Sequence, residues 1–221
     1  MLSKVGTQAE ESPLSRFMSP ENRRTNGKAP PVPEHVGEVV ESSTTELIAE
    51  ACQLHGAPSF GRFVRVESDV PIFAIVYNVF THSIEPNRRP MAYGKTEEEL
   101  RLEQPQIFEL LRTEFQALVL GYLDDGDPVH ILPPQPARIH SFVHECEAAD
   151  VQRFTGNCDF LRSVINTTSV PTDELLVAAL RYAYKAHGHS MDYLVEMGKE
   201  LSRLLRDDYD RLSSIIRRAA H

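Results

Sequence analysis

The sequence predicts an α+β protein: a small antiparallel-rich β-barrel with an inserted short helix pair, followed by a C-terminal helical region. Three observations carry that reading. Short segments rich in β-branched and aromatic residues, separated by Gly, Pro, Ser and Asp turns, recur between His35 and Cys146. Two helix starts, at Thr96 and Pro105, interrupt them. After Glu147 the alternation stops and apolar residues return at helical spacing.

The chain divides into residues 1–33, 34–147 and 148–221. The first stretch is punctuated by Pro13, Pro20, Pro30, Pro31 and Pro33 with almost no apolar periodicity, the composition of a disordered arm. From His35 the run VGEVVESSTTELIAEAC reads as a bent or bulged strand pair broken at Ser42-Ser43. After a turn at His55–Pro58, Phe60 to Glu67 alternates, although Phe63 interrupts the polar face and leaves the buried side open. Ile72 to Phe80 is apolar on both faces, as a barrel strand covered from outside would be, and is expected to be the most buried strand. Residues 81–95 read as a loop.

Thr96 with Glu99 forms a T-x-x-E capping box for a helix of about two turns. Pro105 suits the first turn of a second helix reaching Leu111, since its missing N–H has no helical partner there. Strand character then runs from Thr113 to Leu123 and ends at the Asp124–Pro128 turn, with Gly121 allowing close packing. Ile107, Phe108, Leu110 and Leu111 are expected to plug or cover the barrel. A stiff Pro133-Pro134-Gln135-Pro136 segment precedes a last strand, His140 to Cys146.

The C-terminal region reads as short helices around Ala148–Ile165, a helix from Pro171 to about Gly188, and one long final helix from about Ser190. On that final helix Leu201, Leu205, Tyr209, Leu212 and Ile216 form a narrow apolar stripe. It either packs on the protein's own barrel and helices or faces a partner or a second copy.

Charge separates the regions. Residues 1–33 carry a net +2, residues 148–221 are balanced, and residues 34–147 hold eight basic against nineteen acidic groups, a net −11. A barrel that acidic argues against direct nucleic-acid binding, which starts from a basic face, and favours a partner with basic surface. The longest nearly unbroken apolar run, Val70–Phe80, is well short of the ~20 residues a membrane-spanning helix needs. With no export leader and three unpaired-looking cysteines, Cys52, Cys146 and Cys158, a cytoplasmic location is expected.

No catalytic signature stands out. The chain contains no G-x-x-x-x-G-K-[ST], G-x-G-x-x-G, C-x-x-C or H-E-x-x-H pattern. His140, His144 and Cys146 share one face of the last strand by period-two geometry and are the best metal-like set, but they lie along a single strand without a fourth ligand. The expectation is therefore no catalytic residue, no cofactor and no metal. A metal-dependent enzyme built on those three residues, and a barrel stacking bases on Phe60, Phe63, Phe73 and Tyr77, are the competing readings.

The ordered runs HVGEVVESSTTELIAEA, FGRFVRVE, IFAIVYNV, QPQIFELLRTEFQALVLGY and LPPQPARIHSFVHECE resemble the HAS-barrel family. That is the barrel of HerA-like ATPases and F-type ATP synthase subunits, and the closest likeness is to stand-alone HAS-barrel proteins of cyanobacteria, whose C-terminal part LSRLLRDDYDRL also resembles. The resemblance implies a barrel that sits beside a ring ATPase and helps to assemble or orient it, in a DNA-processing context. With no nucleotide loop here, the P-loop ATPase is expected to be a separate polypeptide, and this chain a non-enzymatic adaptor. Its partner contacts are expected at Pro133, Pro134 and Pro136, along an exposed sheet edge, and at the stripe Leu201, Leu205, Tyr209, Leu212 and Ile216.

Overall fold

The computed structural model describes residues 35–220 apart from Pro86, Arg88, Ser169 and Asp207; the arm expected over residues 1–33 lies outside the described residues. Seven strands, β1 (Gly37–Ser42), β2 (Glu46–Ala51), β3 (Phe63–Val66), β4 (Ile72–Ser83), β5 (Leu111–Asp124), β6 (Asp127–Val129) and β7 (Phe142–Glu145), form one antiparallel sheet. Its order is β2-β1-β7-β3-β4-β5-β6, and β2 also pairs with β5, so six strands close into a barrel and β6 folds back on β5. The α+β barrel with inserted helices and a helical C-terminal region is the observed architecture.

Local chemistry explains each turn of the path. The β1–β2 pair carries the expected irregularity, a register shift between Val39 and Glu41 that sharpens the local twist. Ser43 closes its turn, its hydroxyl accepting the Glu46 N–H at 3.1 Å. At Gly121 an added Cβ would lie 2.2 Å from the Val129 carbonyl oxygen, so only glycine lets β6 approach this closely.

Two apolar layers follow from the period of two. Val39, Ala49, Val64, Ala74, Val76, Ala117, Val119 and Val143 form one layer with the larger Leu47, Ile72 and Phe115, mostly small side chains of the kind that fill a narrow barrel. The alternate residues Phe63, Phe73, Ile75, Leu118, Leu120 and Leu123 point outward and are buried nonetheless. What covers them is the helical region: α3 (Ala148–Phe154), α4 (Phe160–Ile165), α5 (Thr172–Ala186), α6 (Met191–Leu205) and α7 (Tyr209–Ala219). Phe154 stacks on Phe73 with ring centroids 4.5 Å apart, and Phe160 meets Phe63 edge-on at 6.1 Å. Phe63, which broke the polar face in the sequence, is therefore buried because helices lie over that face.

Three expectations change. β4 is buried only over Ile72–Val76, because after a second register shift at Tyr77 it leaves β3 and continues beside β5 as far as Ser83↔Leu111. The last three residues of that extension fall in the stretch read as loop. The single long final helix is two helices: Arg206 takes φ +49 at the end of α6, and Asp208 restarts the chain by accepting the Arg211 N–H at 3.1 Å. Asp208 is thus an N-cap.

The third correction concerns the inserted helices, α1 (Glu97–Glu103) and α2 (Gln106–Glu109). Neither contains a buried residue, and Ile107, Phe108, Leu110 and Leu111 belong to neither core layer. They do not plug the barrel, because the extended β4 and β5 carry them past its end.

Removing the Phe154 ring is expected to cost about 3–5 kcal/mol of unfolding free energy in Phe154→Ala, measured by urea denaturation. At Gly61, which has φ +78, an added Cβ would sit 2.2 Å from the Ala178 Cβ of α5. Gly61→Ala is expected to cost about 2–3 kcal/mol from left-handed strain and overpacking, and Ala178→Gly in the same chain should recover part of it.

Candidate docking surface on the arm between β4 and β5

Beyond the register shift, Asn78–Ser83 of β4 and Leu111–Gln116 of β5 form an arm. The Ile84 N–H donates to the Leu110 carbonyl at 2.9 Å. By alternation, His82, Phe80 and Asn78 direct their backbone groups to β5, and Val79, Thr81 and Ser83 direct theirs outward. Among the described residues no strand pairs with that outer edge. The arm is braced on its β5 side by polar contacts: Thr81 and Thr113 hydroxyls 2.8 Å apart, the His55 N–H on Thr113 Oγ1 at 2.9 Å, and Arg112 on Glu50 at 2.8 Å.

At the tip, α1 and α2 are ordered by polar contacts rather than burial. Thr96 and Glu99 make the expected capping box, with the Glu99 N–H on Thr96 Oγ1 at 3.3 Å and the Thr96 N–H on Glu99 Oε2 at 2.8 Å. Arg101 pairs with Glu97 at 2.7 Å and lies 4.3 Å above the Phe108 ring; Lys95 pairs with Glu103. Between these helices and the strand ends lies an apolar groove of about 390 Å³, lined mainly by Met91, Tyr93, Leu100, Ile107, Phe108 and Leu111. Met91 is 72% and Leu102 86% exposed, with Val79, Ile84 and Tyr93 also on the surface. Exposed Met91 and Tyr93 lining an apolar groove make it a candidate interaction site.

The residues singled out in the sequence are placed differently. Leu201 is fully buried, and Leu205, Leu212 and Ile216 pack against the same core as the barrel's outer face; Tyr209 is 71% exposed. Pro133 is buried, Pro134 exposed and Pro136 half-buried. His140 leaves the strand with φ +71 and pairs with Glu38, His144 lies 3.0 Å from Glu67, and Cys146 is buried under the helices. No group of three His, Cys, Asp or Glu among the described residues can hold a metal ion. Burial pushes the Cys146 thiol up to about 12 and that of Cys158 up to about 11, so neither is a thiolate at neutral pH. Of the aromatics that a base-stacking barrel would use, Phe63 and Phe73 lie beneath the helices. Tyr77 donates its hydroxyl to Glu46 at 2.8 Å, and Phe60 sits at 36% exposure.

Among the described residues no helix is long and apolar enough to cross a membrane. Residues 36–125 match the model of the HAS barrel domain. That segment is similar to a HAS barrel domain. No curated protein matches it. The match covers β1 to β5, including the arm and its helices, so the groove is built entirely within the HAS-barrel segment.

The arm was missed in the sequence because two features conceal it. The extension of β4 past Phe80 consists of Thr81, His82 and Ser83, which carry no apolar alternation, and the groove residues look like an ordinary helix core. The one legible signal was that α1 and α2 together supply few apolar positions for a plug.

Loss of the capping hydroxyl in Thr96→Ala is expected to cost α1 about 1 kcal/mol locally. Amide hydrogen exchange at Leu100 and Gln104 should quicken roughly fivefold while the global melting transition stays in place.

A second measurement concerns the junction of the helices. His187 stacks on Tyr193 at 3.8 Å, and its Nε2–H donates to the Thr155 hydroxyl at 3.1 Å, which itself donates to the Val151 carbonyl. Burial holds the imidazole pKa below its usual value near 6.5. The folded protein therefore keeps His187 neutral where the unfolded chain takes up a proton. Its contribution is complete above pH ~6.5 and is lost as pH falls from there through the folded pKa. Denaturation at pH 7.5 and 5.5 should show a smaller acid loss in His187→Gln than in the wild type.

Proposed function

We propose that the protein is a non-enzymatic assembly or adaptor protein whose HAS barrel docks on a HerA-like or related P-loop ring ATPase, in a DNA-processing context. HAS barrels are found in HerA-like ATPases, and that association carries the reading. The chemistry agrees with it. No nucleotide-binding loop occurs in the 221 residues, the thiols are buried or unactivated, and the barrel segment carries an apolar surface groove suited to a protein segment. The net −11 of residues 34–147 favours a basic partner face and disfavours nucleic acid as the direct ligand.

Crosslinking mass spectrometry after gentle, low-salt affinity purification from the native cell tests this. A P-loop ATPase crosslinked to residues 34–147 is the expected result; recovery of the protein alone overturns it.

A further inference from the structure

Two features of the arm coincide at Ser83. It ends the open outer edge formed by Val79, Thr81 and Ser83, and it lines the apolar groove. An open edge offers backbone donors and acceptors at a two-residue repeat, and the groove offers a place for side chains at its end. That combination suits an added strand rather than a helix, which would leave the edge unsatisfied.

Charge decides the occupant. Residues 78–116 contain seven acidic and five basic groups within a region of net −11. Lys95, Arg101 and Arg112 are already paired with Glu103, Glu97 and Glu50. Glu98 and Glu109 are exposed and make no ion pair among the described residues. A second copy of the chain would bring two strongly acidic barrels edge to edge, with like charges opposed. A basic segment meets, among the described residues, one exposed cation at the groove, Arg89, against the unpaired carboxylates of Glu98 and Glu109.

We propose that the arm captures an extended segment of another protein, alternating apolar and Lys or Arg residues, as an extra strand on Val79–Ser83 with its apolar side chains entering the groove at Met91, Ile107 and Phe108. This rests on the adaptor reading and specifies where and by what chemistry the partner is held.

The probe is a fluorescein-labelled twelve-residue peptide of alternating Leu and Lys, compared by anisotropy with the Leu and Glu counterpart. Thr81→Pro removes an outward N–H and leaves the backbone bonds to β5 intact, proline being tolerated at an edge; Thr81→Val, which also lacks the hydroxyl that meets Thr113 but keeps the N–H, is the control for that lost contact and is expected to bind as wild type. Met91→Gln removes apolar groove surface without altering charge, at a residue already exposed. Thr81→Pro and Met91→Gln are each expected to weaken the Lys peptide at least tenfold with an unchanged thermal transition, and Ile131→Gln, at an exposed apolar residue outside the arm, to leave binding as it was. Equal binding of the Glu peptide, or Lys-peptide binding indifferent to both arm variants, overturns the proposal. So does a concentration-dependent dimer in sedimentation that either arm variant abolishes. In the native purification, an ATPase retained equally by wild type and the Thr81→Pro, Met91→Gln double variant removes the arm from the interface while the adaptor reading stands. Wild-type protein recovered alone removes the adaptor reading, and the peptide data still decide the arm.

Discussion

Everything in this fold depends on covering the outside of β3, β4 and β5. A six-strand barrel lined mostly by Ala and Val, with Leu47, Ile72 and Phe115 its only large side chains, encloses little apolar volume of its own. The larger apolar side chains, Phe63, Phe73, Ile75, Leu118 and Leu120, stand on the opposite face of the same strands. Left in water they would be a continuous hydrophobic sheet. The five C-terminal helices bury them, and the cluster that results extends from barrel strands through Phe154, Phe160, Leu176 and Leu180 to Met197, Leu201 and Ile215. The helical region is thus the second half of the barrel's own core.

The covering stops where the strands outrun it. Past Val76, β4 changes from buried residues to half-exposed and exposed ones, and its polar side chains answer water or each other. An unprotected edge would invite indiscriminate pairing. Here the surrounding carboxylates, the register shift at Tyr77 and the shortness of the extension limit it. On the proposed reading the same surface is closed to copies of itself and open to strands of opposite charge.

Much of this was readable in the residues, and the failures have definable causes. The bulged β1–β2 pair, the two-sided burial of Ile72–Val76, the Thr96–Glu99 box and the helix stopping at Gly188 each rest on local signals, namely β-branching, caps and glycine. Such signals do not require knowledge of neighbours. The final helix was misjudged because Asp207-Asp208 fits an acidic helix face as well as an N-cap; only the backbone turn at Arg206 distinguishes them. The apolar stripe had the right residues, four of which meet the protein's own core, yet periodicity carries no information about what lies opposite. The arm escaped altogether, since strand length past the barrel is set by pairing between β4 and β5, a non-local fact.

The segment that matches the HAS barrel domain stops at Asp125, while the barrel does not. Its remaining stave, β7, arrives at Phe142 and joins β1 to β3, and the helices that roof Phe63 and Phe73 come later still. Recombination at the boundary of the recognisable segment would cut a cylinder along its length and strip its lagging. A transplantable module of this chain must therefore include β7 and the helices, the physical unit being longer than the stretch by which it is recognised.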